Sequence, residues 1–298
     1  MGLTDNDPFS AEEIVSYLDT TSDFAFELRC VESLIQMGFT CKHGGSYTDP
    51  VTGKSRQFDI RARISPHGER YVRCAIECKN LSVFRPLVVS CVPRPADESF
   101  HSIVFSCPVG RVGHWSTPGG TRICDVIRVD PPESAYQMYG SVGKDIKQIW
   151  RVKTNRQPAG SSGFDASDRE LFDKWAQAIA SASDLVDLSA REGERQKGAA
   201  FTVVLPIVVV PDNTLWQASF DSTGRRDELP TLTNRCSLYV GHTCKTTNYG
   251  TTTNIILSHL EIVTLTGLGV LLRGVNSNSH DAWFSPLKME AYRGMLGA

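Results

Sequence analysis

The chain has 298 residues, of which 41% are hydrophobic, and its 31 Lys and Arg against 33 Asp and Glu give a formal net charge of −2. This composition excludes a disordered chain, a collagen and a coiled coil, and the near-neutral total excludes a bulk polycation. The length predicts one large domain or two modules, with a core that needs no disulfide or metal to hold it together.

The N-terminal residues lack the basic and apolar regions of a signal peptide, and no uninterrupted apolar run reaches the roughly 20 residues that a membrane helix needs. The nine cysteines include no C-x-x-C pair, which argues against a zinc site built from closely spaced ligands. We therefore expect reduced, buried thiols in a soluble cytoplasmic protein that has no membrane partner.

The first part of the chain predicts helices followed by strands. An acidic lead-in, residues 1–22, contains a short helix over 11–18, and a second helix begins at a capping residue among 21–23 and ends at Gly38. Alternating side chains and turn residues then predict strands over 39–47, 56–64, 71–79 and 87–92, with a hairpin turn at 65–68. Residues 23–156 form the predicted N-terminal core.

The rest of the chain predicts a long helix and a β-rich part, residues 164–298. Residues 96–105 suit a short helix or a strand, 108–120 are ambiguous, and the Gly- and Ser-rich stretch 157–163 is the best linker. The remaining predictions are helices at 143–152, 165–188 and 267–273, and strands at 123–129, 201–210, 215–220, 236–240 and 260–264. The C-terminal strands either extend the first sheet or form a second packed module.

Two carboxylates converge in this pattern. Glu77 and Lys79 share one face of their strand because side chains alternate, and pairing through the turn at 65–68 places Asp59 opposite or nearly opposite Glu77. Two such carboxylates repel each other unless a cation lies between them. Oxygen ligands with open coordination positions suit Mg²⁺ or Mn²⁺, which retain waters and bind substrate phosphate.

Two further residues complete the set. Lys79 is placed to orient or activate an attacking water and to neutralise phosphate charge. Glu27 lies on the flank of the second helix's apolar arc, so its carboxylate points toward the sheet rather than to bulk water. For the strand residues the simpler alternative is a solvated face with a cross-strand salt bridge, and for Glu27 it is an exposed helix position.

Glu27 on a helix, Asp59 on a strand and Glu77-Cys78-Lys79 at the end of the next strand resemble the PD-(D/E)XK nuclease superfamily, in the subset with an E-x-K ending. The resemblance covers residues 23–105, in the order helix–strand–strand–strand, and Phe58 replaces the proline of the motif. It implies an α/β (α+β) protein with a restriction-endonuclease-like mixed central sheet flanked by helices, to which a β-rich C-terminal extension is added.

The resemblance also implies an activity: divalent-metal-dependent hydrolysis of nucleic-acid phosphodiesters, with DNA favoured, by an endonuclease that is a monomer or a homodimer. Asp59 and Glu77 would hold Mg²⁺ or Mn²⁺ together with the backbone carbonyl of Cys78. Glu27 would act on the metal directly or through a water, and Lys79 would lie near the attacking water. Two alternatives stay open: a catalytically inactive nuclease-fold module that binds nucleic acid or a protein partner, and an unrelated scaffold with coincidental motifs.

The charges are unevenly distributed along the chain. Residues 1–28 hold seven acidic and no basic residues, whereas residues 51–94 hold nine Lys and Arg against three Asp and Glu, a local charge of +6. A basic region around an acidic metal site is what a phosphate backbone requires. We predict nucleic-acid contacts by Lys54, Arg56, Arg61, Arg63 and Arg73, and by Lys144 at the N-terminus of the helix over 143–152.

Overall fold

The computed structural model describes residues 8–50, 52–107, 124–152, 163–192, 200–226, 228–248, 251–276 and 283–284. Within these ranges the chain forms four α-helices, a 3₁₀ turn at Ala96–Glu98 and fifteen strands. The helices are α1 (Ala11–Thr20), α2 (Phe24–Gln36), α3 (Arg169–Glu192) and α4 (Leu265–Asn276). The first eight strands are β1 (Thr40–His43), β2 (Ser46–Thr48), β3 (Ser55–Gln57), β4 (Ile60–His67), β5 (Arg70–Cys78), β6 (Leu87–Pro93), β7 (His101–Ser106) and β8 (Cys124–Val129). The others are β9 (Ser141–Val152), β10 (Gly163–Ser167), β11 (Ala200–Val210), β12 (Leu215–Ser219), β13 (Thr231–Leu232), β14 (Arg235–Asn248) and β15 (Thr251–Thr264).

Thirteen of the described strands join in one mixed sheet. Its order is β1-β4-β5-β11-β15-β14-β9-β6-β12-β13, with β10 on β9, β7 on β11 and β8 on β7, while β2 and β3 form a separate hairpin. Strand β11 lies parallel to both β5 and β15, and all of its residues are buried. A central parallel strand is covered on both faces, which explains its nearly continuous apolar sequence. The N-terminal strands β4 and β5 and the C-terminal strands β11, β14 and β15 therefore belong to the same sheet.

Helices cover the two faces of this sheet. On one face Phe26, Cys30 and Leu34 of α2 join a core with the even-numbered residues of β5 and with α4. On the other face α3 packs against the sheet through two clusters, one of which holds Ala182 and Ala75. The chain is thus a mixed α/β protein with a large sheet between helices, as expected for the general fold class.

One predicted element is wrong in type. Residues 143–152 form most of strand β9, not a helix, because they pair antiparallel with β6 from Ser141 to Gln148 and lie next to β14. Buried Val142 and Ile146 pack into the sheet, and tertiary pairing outweighs the helix propensity of the Lys- and Gln-containing segment. Residues 96–105 divide into the 3₁₀ turn and strand β7.

The hairpin of β14 and β15 is longer than predicted. Each strand has 14 residues, whereas the apolar pattern indicated only the ends at 236–240 and 260–264. The additional residues are rich in threonine, a β-branched residue that favours strands without marking a hydrophobic face. The ambiguous stretch 108–120 and residues 157–162 of the predicted linker lie outside the described residues. None of the helices in the described ranges combines the length and apolar character needed to cross a membrane.

Candidate active site

The pairing of β4 with β5 brings Asp59 and Glu77 together at one end of the sheet. Ile60 lies opposite Ile76, so Asp59 and Glu77 are the next residues along the two strands. The backbone N–H of Cys78 donates to Asp59 Oδ2 at 2.8 Å, and the backbone N–H of Asp59 approaches Glu77 Oε1 at 3.4 Å. The two predicted carboxylates are therefore neighbours held by the ends of two paired strands.

A lysine from α3, which the sequence analysis did not identify, lies between these carboxylates. Lys174 Nζ is 2.7 Å from Asp59 Oδ2 and 3.6 Å from Glu77 Oε2. The sequence carries a signal for it: Leu171 and Ala178, three residues before and four residues after, are both buried, so Lys174 is on the helix face that meets the sheet. Glu27 was identified as a charged residue beside the apolar face of its helix, and the same criterion applied to α3 identifies Lys174.

Burial disfavours the charged form of Glu77 in this pair of carboxylates. Glu77 is 1% exposed, and burial, together with the charge of Asp59, raises its pKa to about 9 against the opposing effect of Lys174. Its Oε2 atom has no hydrogen-bond partner among the described residues. Burial also lowers the pKa of Lys174, but Asp59 and Glu77 outweigh that effect and leave it above its ordinary value. Two neighbouring carboxyl groups therefore share one ammonium group, so Glu77 keeps its proton at neutral pH unless a further cation lies beside it.

Lys79 extends from the end of β5 toward the start of α2. Its backbone N–H donates to the carbonyl of Val209 at 2.9 Å, and its Nζ lies 3.8 Å from Asp23 Oδ2. Asp23 Oδ1 accepts the backbone N–H of Asn80 at 2.7 Å. Asp23 therefore holds the segment that follows β5 and carries Lys79. The sequence suggested Asp23 only as a capping residue of α2, but its side chain makes no capping hydrogen bond with that helix.

Glu27 lies on α2, with His43 as its partner. Glu27 Oε2 and His43 Nε2 are 2.8 Å apart, and both side chains are partly exposed. The pKa of the Cys78 thiol is raised by a hydrogen bond with Cys30, by burial and by the charges of Asp59 and Glu27, so both carboxylates act on the same strand end. Across the described ranges, however, no three or more His, Cys, Asp or Glu residues are grouped closely enough to hold a metal ion. Glu27 is thus near the pair but not part of it.

Several predicted nucleic-acid contacts are engaged within the protein. Arg61 donates to Asp184 Oδ2 at 2.7 Å and stacks 4.5 Å from the centre of the Phe58 ring. Arg56 forms an ion pair with Asp49. These internal partners reduce the free positive charge of the region below the +6 counted from the sequence.

The other predicted contacts differ in exposure. Lys54 and Arg63 are exposed, whereas Arg73 is only 8% exposed. Lys144 forms an ion pair with Glu98 and lies within β9. The predicted helix whose N-terminus would carry Lys144 is therefore wrong, while a nucleic-acid contact by Lys144 stays a prediction.

A second buried carboxylate, Glu261 on β15, provides a contrast with Glu77. Arg235 donates two hydrogen bonds of 2.8 Å to it, the Tyr136 hydroxyl donates another of 2.8 Å, and the Ser237 hydroxyl lies 3.0 Å away. Burial would raise the pKa of Glu261, but the charge and hydrogen bonds of Arg235 and the hydrogen bond from Tyr136 lower it below its ordinary value. Glu261 is a satisfied structural anion, whereas Glu77 retains an oxygen without a hydrogen-bond partner among the described residues.

Comparisons of the chain with family models, with curated proteins and with solved structures find no match.

Proposed function

We propose that this protein is a divalent-metal-dependent nuclease that hydrolyses phosphodiester bonds of nucleic acid, with DNA as the favoured substrate. The observation that carries the proposal is the pair of Asp59 and Glu77 on adjacent strand ends, with Glu77 Oε2 buried and lacking a hydrogen-bond partner among the described residues. Such an atom is costly to bury unless something satisfies it.

The donor set fits a hard divalent cation. Mg²⁺ is commonly bound in proteins by one or two carboxylates together with waters and substrate phosphate oxygens, and Asp59 and Glu77 supply two carboxylates. The backbone carbonyl of Cys78 remains the candidate for an additional ligand. When bound, the cation would polarise the phosphate and neutralise developing negative charge.

The chain's own residues then have separate tasks. The Cys78 N–H and the Lys174 ammonium fix the orientation of Asp59. Lys79, held at the strand end by its backbone bond to Val209, would neutralise phosphate charge and orient the attacking water. Glu27, paired with His43, is 15% exposed at its side chain and is available to hold a water near the same strand end.

The order of elements supports the restriction-endonuclease-like interpretation. Helix α2 is followed by β1, β4 and β5, which are adjacent in the sheet, and the small β2–β3 hairpin is inserted between β1 and β4. The helix–strand–strand–strand order is the one in which the motif residues occur.

Cleavage of labelled single-stranded, duplex and branched DNA and of RNA tests the proposal, with Mg²⁺, Mn²⁺ or EDTA present. We expect cutting only with a divalent metal, and losses of about 100-fold or more in Asp59→Asn and Lys79→Met. Lys245→Met, an exposed lysine on β14, is the matched control and should cut like the wild type.

Two results would contradict this function. Metal-dependent cutting that survives both Asp59→Asn and Lys79→Met would indicate a contaminant or a different site. Nucleic-acid binding without cutting under any metal condition would favour the catalytically inactive binding module instead.

A further inference from the structure

An aromatic groove of about 500 Å³ includes the loop that follows Lys79. It is formed by the loop between β5 and β6, the end of β9 and the start of β10. Among the described residues that line it none is acidic, and its aromatic and basic side chains are Phe84, Arg85, Trp150, Arg151 and Phe164.

The groove presents aromatic side chains to solvent. Phe84 is 84% exposed and Phe164 is 70% exposed, which is unusual for two phenylalanines that line the same depression. The Arg85 guanidinium lies 5.7 Å from the centre of the Trp150 ring, and Arg151 is exposed opposite Phe164 in the β9–β10 pairing. Exposed rings and guanidinium groups are thus combined on one surface.

Hydrogen bonds hold the two sides of the groove together. The Ile149 N–H donates to the carbonyl of Pro86 at 3.1 Å, and the Gln148 side chain donates to the carbonyl of Arg85 at 3.2 Å. Within the loop, the Arg85 N–H donates to the carbonyl of Ser82 at 2.8 Å. The groove is therefore preformed, so a ligand need not order the loop when it binds.

We propose that this groove binds unpaired bases of a single-stranded nucleic acid, and the inference rests on the proposed nuclease function. Aromatic faces stack on bases of any sequence, and arginine contributes both stacking and attraction to phosphate. In a double helix the base faces are already stacked on one another and only edges are accessible in the grooves. The rings of Phe84 and Phe164 therefore select a strand with unstacked bases, of either DNA or RNA.

The position of the groove suits a strand that continues into the active site. Lys79 and Val83, which also lines the groove, are four residues apart, so their Cα atoms lie within about 14 Å of each other. A strand that leaves the groove along this loop would reach the end of β5 that carries Lys79.

Binding of a short fluorescently labelled oligothymidylate, measured by anisotropy in EDTA, tests the groove separately from cleavage. We expect Phe84→Ala and Phe164→Ala each to weaken binding roughly tenfold. Both side chains are exposed, so their removal leaves the core intact. Phe9→Ala, which removes an equally exposed phenylalanine at 81% exposure, should bind like the wild type. Arg85→Gln should reduce the slope of log affinity against log salt by about 0.7.

Competition with unlabelled single-stranded RNA and with duplex DNA completes the experiment. We expect the single strand of either sugar to compete well and the duplex to compete poorly. The groove proposal is overturned if the duplex competes equally or if both phenylalanine variants bind like the wild type. It also fails if these variants only change the oligomeric state, which would identify the groove as a contact between copies. Groove-dependent binding without cleavage would instead overturn the nuclease function and leave this binding site standing.

Discussion

Replacing Glu77 with glutamine should stabilise the metal-free protein. The folded structure raises the pKa of Glu77 from its ordinary value of 4.5 to about 9, because burial and Asp59 both disfavour the charged form. At pH 7 the unfolded chain therefore ionises this carboxyl while the folded chain keeps it protonated. Because the folded-state pKa of Glu77 is raised, its contribution to folding stability is fully present below pH 4.5. That contribution is lost progressively as the pH rises from 4.5 toward 9.

The magnitude follows from the two pKa values. Each pH unit between them costs about 1.4 kcal/mol of folding free energy, so the wild type carries a cost of about 3 kcal/mol at pH 7. Glutamine has the shape of the protonated carboxyl and does not titrate. We therefore expect Glu77→Gln to raise the free energy of unfolding by about 2–3 kcal/mol at pH 7, and by less than about 1 kcal/mol at pH 5.

Urea unfolding in EDTA at pH 5 and pH 7 measures both differences. Glu261→Gln is the matched control, since Glu261 is also buried but is paired with Arg235. Glu261→Gln removes the charge of one partner and should lower the free energy of unfolding at pH 7 by roughly 2–3 kcal/mol. This loss is smaller than for a fully buried ion pair, because the Arg235 side chain is 37% exposed and solvent screens its charge. If Glu77→Gln is no more stable than the wild type at pH 7, or if the difference is the same at both pH values, the electrostatic account of the site is wrong.

Three further predictions concern the same site and the fold. Lys174→Met should lower the free energy of unfolding of the metal-free protein by about 1–3 kcal/mol in urea, because the carboxylates lose their ammonium partner. Lys174→Arg should retain most of the wild-type stability, and equal losses in the two variants would contradict an electrostatic role. Binding of Mn²⁺ at pH 7 should release close to one proton, since Glu77 is protonated in the metal-free site. Calorimetric titration in buffers of different ionisation enthalpy measures this release, and a binding heat that is the same in all buffers would contradict it. Gly267→Ala should lower stability by about 1–3 kcal/mol, because its Cβ would clash with the backbone carbonyl oxygen of Asn234. Gly269→Ala should be neutral or stabilising, because its Cβ would meet only the flexible Arg273 side chain. Thermal unfolding compares the two variants, and equal losses of stability would contradict the predicted clash.

The local part of the site was predictable because it follows from strand geometry. A period of two fixes which residues share a face, and a hairpin turn fixes which residues face each other. These two rules place Asp59 beside Glu77, and the register of β4 and β5 agrees with them. The apolar face of α2 was predicted less well. The helical spacing of Phe24, Leu28, Val31, Leu34 and Ile35 marked them as its apolar arc, but among these only Leu34 is buried, together with Phe26 and Cys30, while Phe24, Leu28 and Ile35 are exposed.

What depended on distant parts of the chain was not predictable in the same way. Lys174 reaches Asp59 across 115 residues of sequence, and only the packing of α3 against the sheet reveals that contact. The misassigned segment 143–152 becomes a strand through its pairing with β6. The basic residues looked like a free surface because a charge count does not show partners such as Asp184 of α3.

The dependence of cleavage on metal concentration tests the central claim, that Asp59 and Glu77 together hold the cation required for hydrolysis. Initial rates on one labelled oligonucleotide would be measured across a range of Mn²⁺ concentrations for the wild type, Asp59→Asn, Glu77→Gln and the exposed-residue control Asp145→Asn. The account predicts that the wild type and the control share one midpoint, while the two site variants need at least about tenfold more Mn²⁺ and reach lower maximal rates. Cleavage with the same Mn²⁺ midpoint and maximal rate in all four proteins would contradict it.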